Sequence, residues 1–277
     1  MSHFSIEFFP AKTDVGAEKL REVARRLGAV NPEFFSVTYG AGGSTRDRTL
    51  GAVRDVQALG YAVAPHLSCV GDSKAEIAEL LDGYREMGID RLVALRGDLP
   101  AEVTARSKEL PYAADLVRYI REHSGDHFKI EVAAYPECHP QAASLADDVR
   151  NFVAKANAGA NSAITQYFFN ADSYFHFVDR VRATGCDIAI IPGIMPITNF
   201  KNLVRFSDAC GAEVPRWIRQ QVASYDDDSA SIIAFGEEVI TRLSQQLLDG
   251  GAPGLHFYSM NQAEPTLALW NNLGLPR

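Results

Sequence analysis

Cysteine is scarce and poorly spaced for metal or disulfide chemistry. Cys69, Cys138, Cys186 and Cys210 are the only four in 277 residues, and without a Cys-x-x-Cys pair they indicate neither a zinc site nor a disulfide framework. Reduced thiols of a cytoplasmic protein are the expectation. Basic charge is in deficit as well, with 27 Lys and Arg against 35 Asp and Glu and a formal net charge of -8. With no Lys/Arg cluster to set against that balance, a nucleic-acid partner is disfavoured and a small substrate favoured. No run of about 18 apolar residues occurs, and no basic start is followed by an apolar stretch, so neither a membrane span nor a signal peptide is expected. Also missing are a phosphate-loop Gly-Lys-Ser/Thr, a fixed-period repeat, a low-complexity tract and a linker. At 47% hydrophobic content the chain can bury a large core, and one domain over residues 1–277 is the expectation.

What is present is a regular alternation of strand and helix patterns. Residues 4–9 alternate, placing Phe4, Ile6 and Phe8 on one face and Ser5, Glu7 and Phe9 on the other. Further strand patterns fall at 34–37, 62–67, 91–95, 129–134, 162–167, 188–191 and 255–258. Helical periodicity follows each, at 46–59, 74–87, 112–122, 145–156, 171–184, 199–210 and 264–273, with a helix at 14–27 after the first strand and helical insertions at 215–223 and 229–248. The very apolar 188–191 reads as a buried parallel strand. Eight strand–helix units imply an α/β fold closed as a (β/α)₈ TIM barrel with additional helices, in preference to an open sheet.

In that fold the chemistry sits at the strand C-terminal ends, and unusual polar residues collect there: Glu7, Thr38, Tyr39, His66, Arg96, Asp98, Tyr135, His139 and Gln166. The sharpest local signal is residues 36–49, where an apolar strand gives way to Gly40, Gly42 and Gly43 and a helix begins. Glycine there permits strained turns and close ligand approach. Ser44 and Asp47 have capping-box spacing. Thr45 stands where Gly-x-Gly-x-x-Gly requires glycine, so this is no dinucleotide fingerprint.

A Schiff-base aldolase needs a lysine at a strand end, but Lys129 begins its strand and Lys12 and Lys74 lie in loops or helices. A metal-dependent lyase could draw on Glu7, His66, Asp98 and Glu137, although no Asp-x-Asp or His-x-His spacing pre-forms a ligand pair. Two carboxylates in contrasting surroundings say more. Glu7, flanked by aromatics, is expected to have a raised pKa and to hold a proton as general acid, whereas Asp98, beside Arg96, is expected to stay ionised. Asp148, Asn151 and Lys155 share one helix face, which by itself describes an ordinary solvated stripe.

Taken together the segments Phe4-Ser5-Ile6-Glu7-Phe8-Phe9-Pro10, Val37-Thr38-Tyr39-Gly40-Ala41, Arg46-Asp47-Arg48-Thr49, Pro65-His66-Leu67, Leu95-Arg96-Gly97-Asp98, Ala134-Tyr135-Pro136-Glu137-Cys138-His139-Pro140, Thr165-Gln166-Tyr167-Phe168-Phe169, Pro192-Gly193-Ile194-Met195-Pro196 and His256-Phe257-Tyr258 resemble, in order, the motifs of the methylenetetrahydrofolate reductase family in its short bacterial form. The resemblance implies a flavin-containing barrel, normally an oligomer, that passes a hydride from NADH or NADPH through FAD to methylenetetrahydrofolate, making methyltetrahydrofolate for methionine synthesis. It makes Glu7 the general acid that opens the folate ring and Asp98 the carboxylate beside the flavin. It assigns FAD contacts to Thr38, Tyr39, Ala41, His66, Arg96, Gly97, Asp98, Tyr112, Ala113, Tyr135, His139, Ala142, Asp148, Asn151 and Lys155. Substrate contacts fall on Glu7, Asp98, Gln166, Asn202, Phe206 and Gln262. Bacterial members often carry arginine after His-Phe-Tyr-x-x-Asn, where this chain has Gln262. The competing classes are the metal-dependent lyase and a non-catalytic flavin or folate binder; a yellow protein bleached by NADH or NADPH and recoloured by methylenetetrahydrofolate separates all three.

Overall fold

The computed structural model describes residues 3–39, 43–97 and 109–277, and for 43–45 the backbone alone. Ala41 and Asp98 therefore lie outside the described residues, as does the side chain of Ser44 in the expected capping box. The elements run β1 His3–Phe8, α1 Asp14–Gly28, β2 Phe34–Val37, α2 Gly43–Ala58, β3 Val63–Ser68, α3 Lys74–Glu86, β4 Arg91–Leu95, α4 Ala113–Ser124, β5 Lys129–Ala134, α5 Leu145–Asn157, β6 Ser162–Thr165, α6 Ala171–Arg182, β7 Ala189–Ile191, β8 Gly193–Ile194, α7 Phe200–Cys210, α8 Arg216–Ala223, α9 Ser229–Asp249, β9 Gly254–Tyr258 and α10 Ala263–Asn272. All pairings between them are parallel, in the order β7-β6-β5-β4-β3-β2-β1-β9-β8.

The expected eight strands become nine because Pro192 divides one of them. Proline has no N–H to give a ladder, so β7 pairs with β6 and β8, beyond the bend, pairs with β9. The ring closes across this bent segment, and the Pro192 carbonyl still accepts from His256 N at 2.9 Å. Gly193 is required at the bend: a Cβ there would fall 2.2 Å from the Thr165 carbonyl oxygen.

Strand alternation sorts the side chains into two cores. Phe4, Ile6 and Phe8 of β1, Phe35 and Val37 of β2, and Leu255 and Phe257 of β9 belong to the large cluster shared with the helices. The opposite phase supplies the interior, where Phe34, Ala64, Val93 and Ile164 form a separate buried layer. That phase also points Ser5, Glu7, Ser36, His66, His256 and Tyr258 inward, by the same period of two. At the strand N-terminal ends Arg91 closes the interior, 2.6 Å from Glu131 and over the Phe34 ring at 4.4 Å. The apolar layer thus has an ion pair at one end and open space at the other.

Candidate active site

Above that layer, at the C-terminal ends of the strands, lies a cavity of about 510 Å³. Val93, Leu95, Ala133 and Ile164 give it an apolar floor, and Glu7, His66, Arg96, Tyr135, His139 and Gln166 bring polar groups to it, with Phe206 and Met260 at its wall. A second cavity of about 530 Å³ adjoins it, lined by Tyr112, Ala113, Arg118, Ala142, Asp148, Asn151 and Lys155. Arg96, Tyr135, His139 and Gln141 line both, so the two form one trough.

Local chemistry explains how the walls are held. Gly97 has φ +86°, and a Cβ there would meet Ser68 Oγ at 1.9 Å; the hydroxyl that fills this space donates to the Arg96 carbonyl at 2.8 Å. Arg96 is thereby turned so that Nη1 donates to Gln141 Oε1 at 2.7 Å. Beyond β9, Met260 and Asn261 both have positive φ, and the Asn261 amide accepts from Phe9 N at 2.8 Å and donates to Phe9 O at 2.9 Å. Asparagine tolerates the left-handed region better than most residues, and here it pins the exit of β1 to that of β9. Arg46 donates to the Tyr39 hydroxyl at 2.7 Å and pairs with Asp72, tying the start of α2 to the loop after β3.

Glu7 is almost fully buried, and the surroundings overturn the expectation of a raised pKa. Burial does push the carboxyl up, but contacts with His256 and His66 outweigh it and hold Glu7 down at about 2. The Nε2 atoms of His66 and His256 lie 3.3 and 3.5 Å from Glu7 Oε2, neither aligned as a hydrogen bond, while Ser36 donates to the same oxygen at 3.5 Å. Of the flanking phenylalanines, Phe4 and Phe8 face the other way, into the helix-packing core, and Phe9 is at the rim of the cavity. Glu7 is a carboxylate between two imidazoles.

Lys155 shows the opposite balance. Burial lowers its ammonium to about 8, against a weaker opposing pull from Asp148. Its Nζ donates to the Ala133 carbonyl, and Asp148 is itself engaged by His139 N at 2.9 Å. Asp148, Asn151 and Lys155, on one face of α5, all front the second cavity, as does the first turn of α4.

Thr38, Tyr39, Gly97, Asn202 and Gln262 line neither cavity. Asn202 is exposed in the first turn of α7 and Gln262 is exposed at the N-cap of α10. Conversely, His256, Ser36, Ser5 and Tyr258 surround or support Glu7 without having been singled out. The signal for Ser5 and Ser36 was strand phase: each sits one alternation from a recognised polar position. His256 and Tyr258 lay within a quoted motif but read as strand residues.

A parallel (β/α) barrel with a buried carboxylate and an apolar trough at its strand ends defines an enzyme-type barrel. The family model for methylenetetrahydrofolate reductase matches residues 1–274. A 5,10-methylenetetrahydrofolate reductase from Pectobacterium carotovorum subsp. carotovorum is 42% identical over 272 residues, covering 98% of this chain and 90% of that one. The protein of that name from Escherichia coli K12 is 39% identical with the same coverage. Methylenetetrahydrofolate reductase (NADH) 1 of Arabidopsis thaliana is 35% identical over 98% of this chain but only 48% of its own length. This chain belongs to the methylenetetrahydrofolate reductase family, oxidoreductases acting on methylenetetrahydrofolate. Among solved structures, a Clostridium thermocellum protein described as binding two copies of 5-methyl-5,6,7,8-tetrahydrofolic acid matches with a TM-score of 0.71 at 16% identity, over 99% of this chain and 94% of that one. At that identity the likeness concerns the barrel alone.

Proposed function

We propose that the chain reduces 5,10-methylenetetrahydrofolate to 5-methyltetrahydrofolate with NADH or NADPH as reductant and FAD as resident cofactor. The observation that carries this reading is the trough itself: an apolar-floored cavity with one buried carboxylate, continuous with a second cavity that ends on Lys155. The second cavity suits a dinucleotide diphosphate. Among the described residues the Lys155 ammonium donates to one backbone carbonyl, and Arg118, paired with Asp115, and the first turn of α4, a helix N-terminus, line the same space. Arg96, Tyr135 and His139, at the junction, would hold the flavin between the two, with Tyr112, Ala113, Ala142, Asp148, Asn151 and Lys155 around the remainder.

FAD bound there would supply the hydride chemistry, accepting from a nicotinamide and giving to a folate. The protein's share is placement and proton handling. Val93, Leu95, Ala133 and Ile164 exclude water beneath a flat ring, and Gln166 offers an amide at the wall. Glu7 is placed to take up a proton at Oε2 when a bound ring excludes water from the carboxylate, and to pass it to the ring nitrogen that leaves as the folate five-membered ring opens. Nicotinamide and pterin need the same space over Glu7, so they exclude one another and parallel-line, ping-pong kinetics follow. Asp98 would add a second carboxylate near the reacting rings. The reading further includes a cytoplasmic homo-oligomer. The test is anaerobic: purified protein should be yellow, bleach with NADH or NADPH and regain colour with methylenetetrahydrofolate. Colourless protein that binds no FAD, or bleached protein that the folate leaves unchanged, would overturn it.

A further inference from the structure

Glu137 stands in the segment after β5 between Tyr135 and His139, which both meet the trough, yet it lines neither cavity itself. Its partner lies beyond α7, where the backbone N–H of Glu213 donates to Glu137 Oε2 at 2.8 Å. Glu213 sits between Ala212 and Val214, which are both buried, and a main-chain N–H placed among buried neighbours needs an acceptor. Burial pushes the Glu137 carboxyl up, against the pull of that N–H. Beside this bond Gly211 caps α7 at φ +77°, and a Cβ there would come within 2.7 Å of Pro140 Cγ. The two turns are thus joined by shape and by one charge-assisted hydrogen bond. α7 itself is lightly anchored: of its eleven residues only Leu203 and Ser207 are buried, and Ser207 Oγ shares a hydrogen bond with the Tyr167 hydroxyl at 3.0 Å. Its Phe206, Ala209 and Cys210 nevertheless form one wall of the first cavity. The β5 segment is held independently, with His139 N donating to Asp148 at 2.9 Å, Gln141 N to His139 Nδ1 at 3.0 Å and Ala142 N to the His139 carbonyl at 2.8 Å.

We propose that Glu137 is a positioning residue that clasps the end of α7 to the β5 segment and so sets the width of the slot that the folate and nicotinamide rings enter. This rests on the functional reading above, since Tyr135 and His139 mark the cofactor side of that slot and Phe206 the opposite wall. The clasp acts in one direction. The β5 segment keeps its own bonds to α5 and within itself, so breaking the Glu137 contact releases α7 and leaves the cofactor side in place. A released wall samples undocked positions, and a flat ring that packs against it must first select the docked one. Apparent affinity then falls by the docked fraction. Once a ring is bound the wall is docked as before, so turnover at saturation is kept. A carboxylate suits this task because it takes up a backbone N–H with a charge-assisted bond and asks for no particular side chain at position 213.

The test combines residue-resolved amide hydrogen exchange with steady-state kinetics and FAD titration, on the full chain with its flavin. In the wild type the Glu213 amide should be protected. Glu137→Ala should expose it and speed exchange across residues 200–213 by about tenfold or more, the shift expected when a hydrogen bond to a charged group is lost, while α5 exchanges as in the wild type. KM for methylenetetrahydrofolate and for the nicotinamide nucleotide should each rise about threefold to tenfold, less than the full shift because the buried Ala212 and Val214 keep the wall docked part of the time. Both kcat and the FAD dissociation constant should stay within about twofold. Glu137→Gln keeps an acceptor oxygen and should recover most of the loss. An unprotected Glu213 amide in the wild type would overturn the proposal, as would a Glu137→Gln variant no better than Glu137→Ala, or FAD affinity that falls in step with the rise in KM. Should Glu137→Ala fail to fold, the wild-type protection and its partial loss in Glu137→Gln still decide. Absence of any folate turnover in the wild type would sink the functional reading instead, and the exchange measurement, which needs no turnover, tells the two apart.

Discussion

Glu7 and Lys155 are both buried ionisable groups at the same end of the barrel, yet they are completed in opposite ways. Glu7 lies on a strand; the flanking β2 and β9 bring Ser36 and His256, and β3 beyond β2 brings His66, to its Oε2. Its carboxylate is surrounded by polar groups before any ligand arrives. Lys155 reaches in from a helix, finds one carbonyl and shares Asp148 with a backbone N–H. Its charge is costly until an anion joins it. A group that must manage a proton is built into the sheet, where register fixes distances; a group that must recognise a ligand is left short of a partner.

The contrast breaks most sharply at Glu7. Glu7→Gln should cut folate reduction on the order of a hundredfold to ten-thousandfold, while flavin bleaching by NADH or NADPH survives; stopped-flow traces of the two half-reactions check it. Equal losses would make Glu7 a structural residue. Next in size is Lys155→Met. If Lys155 meets the FAD diphosphate, losing a hydrogen bond to a charged group, about 1.5–3 kcal/mol, should weaken FAD binding roughly tenfold to a hundredfold. The same variant without flavin should melt higher than the wild type, because an uncompensated buried charge has gone. Lower stability together with unchanged FAD affinity would show Lys155 to be a packing residue.

The sequence carries these two regions unequally. β2, β4 and β5 have the boundaries their patterns predicted, since apolar runs bounded by turn residues leave little choice. The split at Pro192 was harder to foresee, because 188–191 reads as one strand and only the curvature of a closed ring asks its continuation to pair elsewhere. Which polar residues gather at the strand ends follows from phase: Glu7, His66 and Gln166 could be placed from alternation. Their charge states could not. Whether Glu7 is protonated depends on His256, which is 249 positions away in the chain and adjacent only through barrel closure. Phe4 and Phe8, which suggested an apolar environment, belong to the other face of the strand.

The pH dependence of stability should separate the two groups by window: both slopes have the same sign, one in alkali and one in acid. Lys155 is lowered from 10.5 to about 8; between those values the unfolded chain still holds a proton that the folded chain has shed, so stability should rise with pH across that window. Glu7 is lowered from 4.5 to about 2; its contribution is present above 4.5 and is lost as pH falls toward 2, where the folded carboxylate finally takes up a proton. Flavin binding should remove the alkaline dependence by restoring the lysine's charge. Calorimetry near pH 9 in buffers of differing ionisation enthalpy should accordingly show uptake of a fraction of a proton on FAD binding. Lys155→Met should abolish that uptake, and Glu7→Gln should leave it intact.

The smallest expected effect is at Gln262, which is exposed at the N-cap of α10 and away from both cavities. If the folate tail extends past Met260 toward this residue, glutamine in place of the family's frequent arginine removes a charge-assisted partner for a carboxylate while leaving the pterin end untouched. An exposed ion pair contributes about 0.2–1 kcal/mol, so Gln262→Arg should tighten folate binding by at most about fivefold, more at low salt, with flavin reduction by the nicotinamide unchanged. Two cations on α7 could fill the same role from the other side of the mouth. Lys201 is paired with Asp227 at 3.6 Å, but both are almost fully exposed, so that pair would release the lysine at little cost. Arg205 lies over the Phe206 ring at 5.2 Å, and Phe206 lines the cavity, which puts Arg205 nearer the ligand. Arg205→Ala should therefore weaken folate binding more than Lys201→Ala does, and both losses should shrink as salt is raised. If folate affinity and its salt dependence are the same in all three variants as in the wild type, the tail leaves the barrel by another route.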